Sequence, residues 1–354
     1  MPAQDSPTPL VIRFGAFGDM LLLIPLLKVL HRRYGRPCDL VSSGRWTTPL
    51  MQRVPACGPV RLLTSRRAPY WFNRSQWDLV DWLRRRPAGP VYIFEPDEKS
   101  HWLLRRGGIQ PEWICSMRDL PRLPGENIMH HALRLGRETP LALQGMAQFA
   151  NDPSYTPDAR PALTEADQRD CSEWLAAKGL TDAPLVLLQP GNKKTMKGGD
   201  RTRSTNVDYW PEDRWAGLIG RIHQHLPAAR IILCGAPTER PLAEDILALA
   251  TAGQDRVVIA TDDLPILRLL TLQSRAHSMI SVNTGPAHGA ATMGCPLVVL
   301  FTRHQHRAAD LYAPQPTTAP VKILFPDSTE PEADLSSVTP DTVAAAWRQM
   351  IAPG

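Results

Sequence analysis

Four loops in this 354-residue chain place chemically capable side chains beside glycines. The first, Gly15-Ala-Phe-Gly18-Asp19, follows an apolar run. Gly15 and Gly18 let the backbone turn tightly and leave its N–H groups exposed where a helix begins. The spacing is not the G-x-G-x-x-G of a dinucleotide site, and an acidic residue at that helix start would repel phosphate. Asp19 therefore reads in two ways. It is a cap accepting N–H bonds and favoured by the helix dipole, or a general base that the same helix end keeps ionised. The second loop, Gln189-Pro-Gly191-Asn192-Lys193-Lys194-Thr-Met-Lys197, is built to embrace a phosphate, or is a solvated basic turn; it lacks the P-loop spacing. In the third, Cys234-Gly235-Ala-Pro-Thr-Glu239, the carboxylate could bond ribose hydroxyls or serve as a favourable first-turn charge. The fourth, Asn283-Thr284-Gly285-Pro286-Ala-His288, sets a proline at the first turn of a helix. Such an N-terminus suits a pyrophosphate, with His288 one turn in and within reach of the same anion.

Other clusters carry less. His223 with His225 and His304 with His306 lack acidic or cysteine partners, no D-x-D pair occurs, and the six cysteines form no C-x-x-C. A reduced, cytoplasmic protein without structural zinc or a divalent-metal carboxylate pair is expected. The Arg84–Arg86 run and the tryptophans form no recognisable RNA-binding module, so no nucleic-acid partner is expected.

These loops must be held by elements with strand and helix periodicity. In the first half, strands are predicted at Leu10–Phe14, Cys38–Ser42 and Val91–Phe94, with helices at Asp19–Tyr34, Trp77–Arg86 and Asn127–Leu135. The turn-rich stretch Asn151–Asp158 reads as a linker. Beyond it, a helix over Thr164–Lys178 opens on a near capping box, Thr164 with Asp167. Strands follow at Leu185–Leu188, Ile231–Cys234, Val257–Ile259, Met279–Val282 and Leu297–Phe301, with helices at Glu212–His225, Thr238–Ala250 and Ala287–Met293. Strand–helix alternation in both halves predicts an α/β protein of two parallel-sheet, Rossmann-like domains, over 1–155 and 156–335. A last helix over 336–354, isolated by prolines, would pack back toward the first domain. Ligands in such sheets lie beyond the carboxyl ends of the strands, where all four loops fall.

Composition narrows the class. With 43% hydrophobic and 21% charged residues, the chain is neither disordered nor fibrous. The apolar stretch Met20–Leu27 stops at Lys28, well short of the roughly 20 residues of a bilayer span, and the first ten residues show no basic leader region. Charge is uneven. Residues 1–150 carry 21 Lys+Arg against 12 Asp+Glu, and the remainder 19 against 23. A basic first half suits an anionic partner, or is a solvated arginine-rich surface.

Taken together, the loops resemble glycosyltransferase family 9, the heptosyltransferases of lipopolysaccharide core assembly. The family's G-x-x-G-D-x-L-x-x-x-P is matched by Gly15, Gly18, Asp19, Leu21 and Pro25. Its P-G and W-P-x-x-x-W are matched by Pro190-Gly191 and by Trp210-Pro211 with Trp215. Its D-[ST]-G-x-x-H-x-A-A-x-x-G-x-P is matched from Thr284 to Pro296. The resemblance implies the GT-B architecture, two Rossmann-like domains facing across a cleft, with inversion at the anomeric carbon and no metal or other cofactor. It implies Asp19 as catalytic base, Thr284, Gly285 and His288 as holders of the donor diphosphate, and Glu239 as a ribose contact. The donor side would include Gly191, Asn192, Lys193, Lys194 and Asn283, and the acceptor-side loop Gly15 and Gly18. The expected reaction moves a sugar, a heptose from ADP-heptose, to a lipopolysaccharide-core or related glycan. The nucleotide sugar and an anionic, lipid-linked acceptor at the inner membrane face would then be its partners. Two positions depart from the family: Asn283 stands where it has an acid, and Asp208 where it has a lysine. Lys193, Lys194 or Lys197 could replace that lysine. A catalytically silent nucleotide-sugar binder, or a member with an altered donor sugar, is the alternative. An NAD-dependent oxidoreductase lacks its fingerprint.

Overall fold

The computed structural model describes residues 6–65, 69–192, 195–196, 203, 205–206, 208–302, 312–315, 318–327 and 333–352. The chain divides into two compact units, Met1–Ala162 and Leu163–Gly354.

The first unit runs β1 (Leu10–Ile12), α1 (Phe17–Tyr34), β2 (Cys38–Ser42), α2 (Thr47–Met51), β3 (Cys57–Leu62), α3 (Arg74–Arg85), β4 (Val91–Ile93), α4 (Glu98–Arg106), β5 (Ile114–Ser116) and α5 (Ile128–Arg137). Its sheet is parallel, in the order β3-β2-β1-β4-β5. Leu10 and Ile12 of β1 and Val91 and Ile93 of β4 pack with Leu79, Leu83, Leu103 and Leu104 of α3 and α4. The intervening Val11 and Tyr92, also fully buried, must face the opposite side of the sheet. The stretch expected as a linker is tied to α1: Lys28 pairs with Asp158 at 2.5 Å, Arg32 with Asp152 at 2.7 Å, and the Arg32 guanidinium lies over the Tyr155 ring.

The second unit runs α6 (Glu165–Ala177), β6 (Leu185–Gln189), α7 (Glu212–His225), β7 (Arg230–Cys234), α8 (Arg240–Leu249), β8 (Val257–Ala260), α9 (Ile266–Arg275), β9 (Ser278–Val282), α10 (Gly285–Met293), β10 (Leu297–Leu300), β11 (Val321–Leu324) and α11 (Pro340–Ile351). The parallel order is β11-β10-β9-β6-β7-β8. Side-chain alternation sorts this core in two. Val186, Leu188, Ile231, Leu233, Ile280, Val282, Val298 and Leu300 face α7, α8 and α11. Leu185, Leu187, Ile232, Cys234, Met279, Leu297 and Val299 face α6, α9 and α10. Burial on both sides explains why these strands read as unbroken apolar runs. Truncating one, as in Leu187→Ala, is expected to cost about 2–5 kcal/mol.

The terminal helix that the sequence sets apart is part of this core: α11 packs on α7 and against β10 and β11. Its Trp347 is fully buried and donates Nε1–H to Ser278 Oγ at 2.8 Å. The tryptophans of the W-P-x-x-x-W motif are likewise core residues. Trp210 and Trp215 meet edge to face at 4.7 Å, and Trp210 Nε1–H bonds the Val338 carbonyl at 2.8 Å.

Candidate functional site

In the first unit the strand order reverses between β1 and β4, the place where an open parallel sheet forms a crevice. Arg13, just past β1, donates Nη2–H to Asp19 Oδ1 at 2.6 Å and Nη1–H to the Phe94 carbonyl at 2.8 Å. Its Nη1 also stands 3.6 Å from Glu95 Oε1. Glu95, past β4 and 3% exposed, accepts the Phe14 N–H at 2.5 Å. Asp19 Oδ2 accepts the Ala16 N–H at 2.7 Å, so the carboxylate closes back on the start of α1. Asp19 caps α1, and its side chain keeps 23% of its surface exposed. Gly15 is needed for this arrangement, because a Cβ there would lie 2.3 Å from Asp19 Cβ and 2.8 Å from Oδ2.

In the second unit the reversal lies between β6 and β9, whose following helices α7 and α10 sit on opposite faces. Loops after β9, β6, β7 and β8 leave neighbouring strands side by side. After β9, Asn283 N–H continues the ladder to the Leu300 carbonyl at 3.1 Å. Thr284 is the N-cap of α10 without a side-chain capping bond, and Pro286 sits in the first turn. Asn283, Thr284, Gly285 and Pro286 are half-buried, and His288, one turn in, is 7% exposed. Gln273 of α9 holds this helix start by donating Nε2–H to the Pro286 carbonyl at 2.8 Å.

After β6, Gln189 donates Nε2–H to the Gly191 carbonyl at 2.9 Å. Asn192 N–H bonds Thr195 Oγ1 at 2.9 Å, and Asn192 Nδ2–H bonds Asp208 Oδ2 at 3.1 Å. Asp208 is 4% exposed, and its carboxylate is held by the Asn192 amide. Lys193, Lys194 and Lys197 lie outside the described residues.

After β7, Glu239 Oε2 accepts the Ala236 N–H at 2.7 Å. Glu239 is 6% exposed, and burial holds its carboxyl above the ordinary glutamate value, against the opposing pull of the Ala236 N–H and the Gln189 side chain. Both neighbouring glycines make room for it: a Cβ on Gly191 would lie 2.3 Å from Glu239 Oε1, and one on Gly235 3.1 Å from Oε2. After β8, Thr261 is 2% exposed, and its Oγ1 has no hydrogen-bond partner among the described residues. No group of three or more His, Cys, Asp and Glu that could hold a metal ion occurs among the described residues.

The structure thus gathers Gly15, Gly18 and Asp19 in one unit. In the other, Gly191 meets Glu239, while Asn283, Thr284, Gly285 and His288 share one helix start. Arg13, Glu95 and Thr261 were missed. Their signal was a charged or hydroxyl residue one or two positions after an apolar strand.

Comparison with known proteins bears on the family and the fold. Residues 162–325 match the family model of glycosyltransferase family 9 (heptosyltransferase). A stretch of 173 residues is 25% identical to the lipopolysaccharide core heptosyltransferase OpsX of Haemophilus influenzae. That match covers 47% of this chain and 44% of the relative, so the chain spans less than half the length of the curated protein it matches. Over the whole fold, the chain is similar to a glycosyltransferase of family 9 from Veillonella parvula (TM-score 0.76, 15% identity, covering 99% of this chain and 98% of that one). It is also similar to the E. coli ADP-heptose lipopolysaccharide heptosyltransferase II (TM-score 0.71, 19% identity, 97% and 98%). E. coli heptosyltransferase WaaC with ADP follows (TM-score 0.66, 17% identity, 97% of each chain). The architecture, two parallel-sheet units with flanking helices, is therefore GT-B-like.

Proposed function

We propose that the protein is an inverting glycosyltransferase of family 9, moving a heptose from ADP-heptose to a lipopolysaccharide-core or related glycan. The observation that carries the reading is Asp19: a carboxylate fixed by Arg13 and Ala16 yet 23% exposed, at the carboxyl end of a parallel sheet. An acceptor hydroxyl is a poor nucleophile, and a positioned carboxylate that takes its proton contributes roughly 10²–10⁴-fold. The bond from the anomeric carbon to the diphosphate oxygen breaks as the acceptor oxygen attacks from the opposite side. Charge develops on the departing diphosphate. The start of α10, with His288, is suited to stabilise that charge, so this reading needs no divalent ion. Glu239 and Thr261 would receive the nucleoside hydroxyls. The similarity of residues 162–325 to family 9 supports the donor side of this assignment.

A second reading, a silent nucleotide-sugar binder, is favoured by Asn283 and Asp208. Asp208 loses weight as an argument for it, because its carboxylate is engaged with Asn192. Mass spectrometry after incubation with a panel of nucleotide sugars and a delipidated core oligosaccharide decides. A heptose-sized mass gain on the acceptor, insensitive to EDTA, is expected. Tight donor binding with no product would establish the silent binder. A peripheral position at the inner membrane face belongs to the same proposal.

A further inference from the structure

Beside the residues of the proposed site, the turn Tyr70–Phe72, in the segment that follows β3, presents exposed aromatics together with the adjoining faces of α3 and α4. Trp71 is 66% exposed, Phe72 87% and Trp77 45%. Scattered exposed aromatics are ordinary, but these are joined: the Tyr70 ring lies 5.5 Å from Trp71 and 6.3 Å from Trp77. Tyr70 and Trp102 pack against the core beneath, 5.3 Å apart, so the outer rings stand on a fixed base. The Arg106 guanidinium caps the cluster, 4.5 Å from the Tyr70 centroid, 5.4 Å from Trp71 and 4.3 Å from Trp102. Arg74, two residues beyond Phe72, has 91% of its side chain exposed and stands 4.0 Å from the likewise solvated Asp78, a loose surface pair that a phosphate can replace. The tip belongs to a half of the chain that is strongly basic, 21 Lys+Arg against 12 Asp+Glu over residues 1–150.

Exposed tryptophans interleaved with arginines match the depth profile of a lipid headgroup layer, where amphipathic rings reside and guanidinium groups meet phosphates. The same positive charge opposes a symmetric contact of this patch with its own copy on a second chain. No helix among the described residues is long and apolar enough to cross a membrane, so such a contact would be peripheral.

We propose that this aromatic–arginine tip docks the first unit on an anionic bilayer, with Trp71, Phe72 and Trp77 entering the headgroup layer and Arg74 and Arg106 facing lipid phosphates. The proposal deepens the membrane-side part of the functional reading and stands or falls apart from the transferase. The full-length protein is tested by co-sedimentation with vesicles of phosphatidylcholine alone and of phosphatidylcholine mixed with phosphatidylglycerol. Binding is expected to the mixed vesicles, falling steeply as salt approaches about 1 M. Substituting Trp71, Phe72 and Trp77 together by serine is expected to weaken binding at least about tenfold, and Arg74→Gln about fivefold. The Arg74→Gln variant and a Trp71, Phe72 double serine variant should melt like the parent, since these side chains are largely exposed, and the double variant should still show weakened vesicle binding. Quenching of tryptophan fluorescence by brominated phosphatidylcholine should disappear in the triple variant. Absence of binding by the parent protein, or equal binding by the triple variant, would overturn the proposal. So would loss of only soluble-oligosaccharide binding or of self-association in that variant. Transfer to a water-soluble acceptor should be unchanged by these substitutions, which keeps a failure here distinct from a failure of the enzymatic reading.

Discussion

Asp19 has two roles that one substitution cannot separate and two can. Asp19→Ala removes the acceptor for the Ala16 N–H and the partner of Arg13 together. A lost cap of this kind costs about 1 kcal/mol. The Arg13 contact, at 2.6 Å but with a partly exposed carboxylate, adds about another 1 kcal/mol once solvent screening is allowed for. For a unit of 162 residues this corresponds to a fall in Tm of roughly 4–8 °C. Asp19→Asn keeps an oxygen facing the Ala16 N–H and loses only the ionic part, so about half that fall is expected. Both variants lose the proton acceptor, and transfer should drop by about 10²–10⁴-fold in each. Nucleotide affinity, which belongs to the second unit in this reading, should hold within about twofold by titration calorimetry. Three measurements on two proteins thus separate cap from base. An Asn variant that transfers within tenfold of the parent would refute the base. An Ala variant whose nucleotide affinity falls in step with its Tm would reduce Asp19 to a cap.

Gly15→Ala leaves every carboxylate in place but drives a methyl into Asp19, so transfer should fall about 10²-fold or more with the donor still bound. Gly191→Ala should instead weaken nucleotide binding about tenfold or more by calorimetry, because its methyl would meet Glu239 Oε1. Glu239 has its folded value raised by burial, so the native state holds this proton more tightly than the unfolded chain does. The ligand-free protein should therefore gain stability as pH falls from neutral toward the ordinary glutamate value. Glu239→Gln should abolish that gain in urea-midpoint measurements. His288→Ala should weaken ADP more than adenosine in the same calorimetric assay.

Central elements were legible because burial on both faces writes them as apolar runs: β6, β7, β9 and β10 fall where the sequence places them. The missed strands were edges. β3 contains Gly58 and Pro59 and is half exposed, β5 has three residues, and β11 is half-buried throughout. Edge strands bury one side at most and carry a weak pattern. Helix α9, also missed, is amphipathic, with Arg268, Ser274 and Arg275 interrupting its apolar residues, but it opens on Pro265 without a side-chain cap to mark its start. At the site, glycine spacing revealed the turns and their acids. The partners of those acids were hidden, because Arg13 and Glu95 are 82 positions apart and meet only through the pairing of β1 with β4. The purpose of Asp208 was hidden for the same reason: its contact with Asn192 spans 16 positions of loop.

One local design occurs twice, and the proposed function would put the same backbone device to two uses. Gly15-Ala16-Phe-Gly-Asp19 and Gly235-Ala236-Pro-Thr-Glu239 each follow a parallel strand. Each returns an acid, four residues after the glycine, to the alanine N–H at 2.7 Å. In both, the glycine lies against that acid, 2.8 Å from its carboxylate for a Cβ at Gly15 and 3.1 Å at Gly235. The surroundings then diverge. Asp19 faces the Arg13 guanidinium and retains exposure, which fits a group that must meet a substrate hydroxyl and receive its proton. Glu239 is closed over by Gly191, is 6% exposed, and faces no cation within ion-pair distance among the described residues. An acid so placed binds a hydroxyl donor well, because each hydrogen bond it accepts offsets a desolvation already incurred on folding. Donor binding should accordingly release protons near the raised Glu239 value, and calorimetry in two buffers of different ionisation enthalpy would show it. Glu239→Gln should erase that buffer dependence while Asp19→Asn leaves it intact. If both variants erase it, the two turns do not divide the labour in this way.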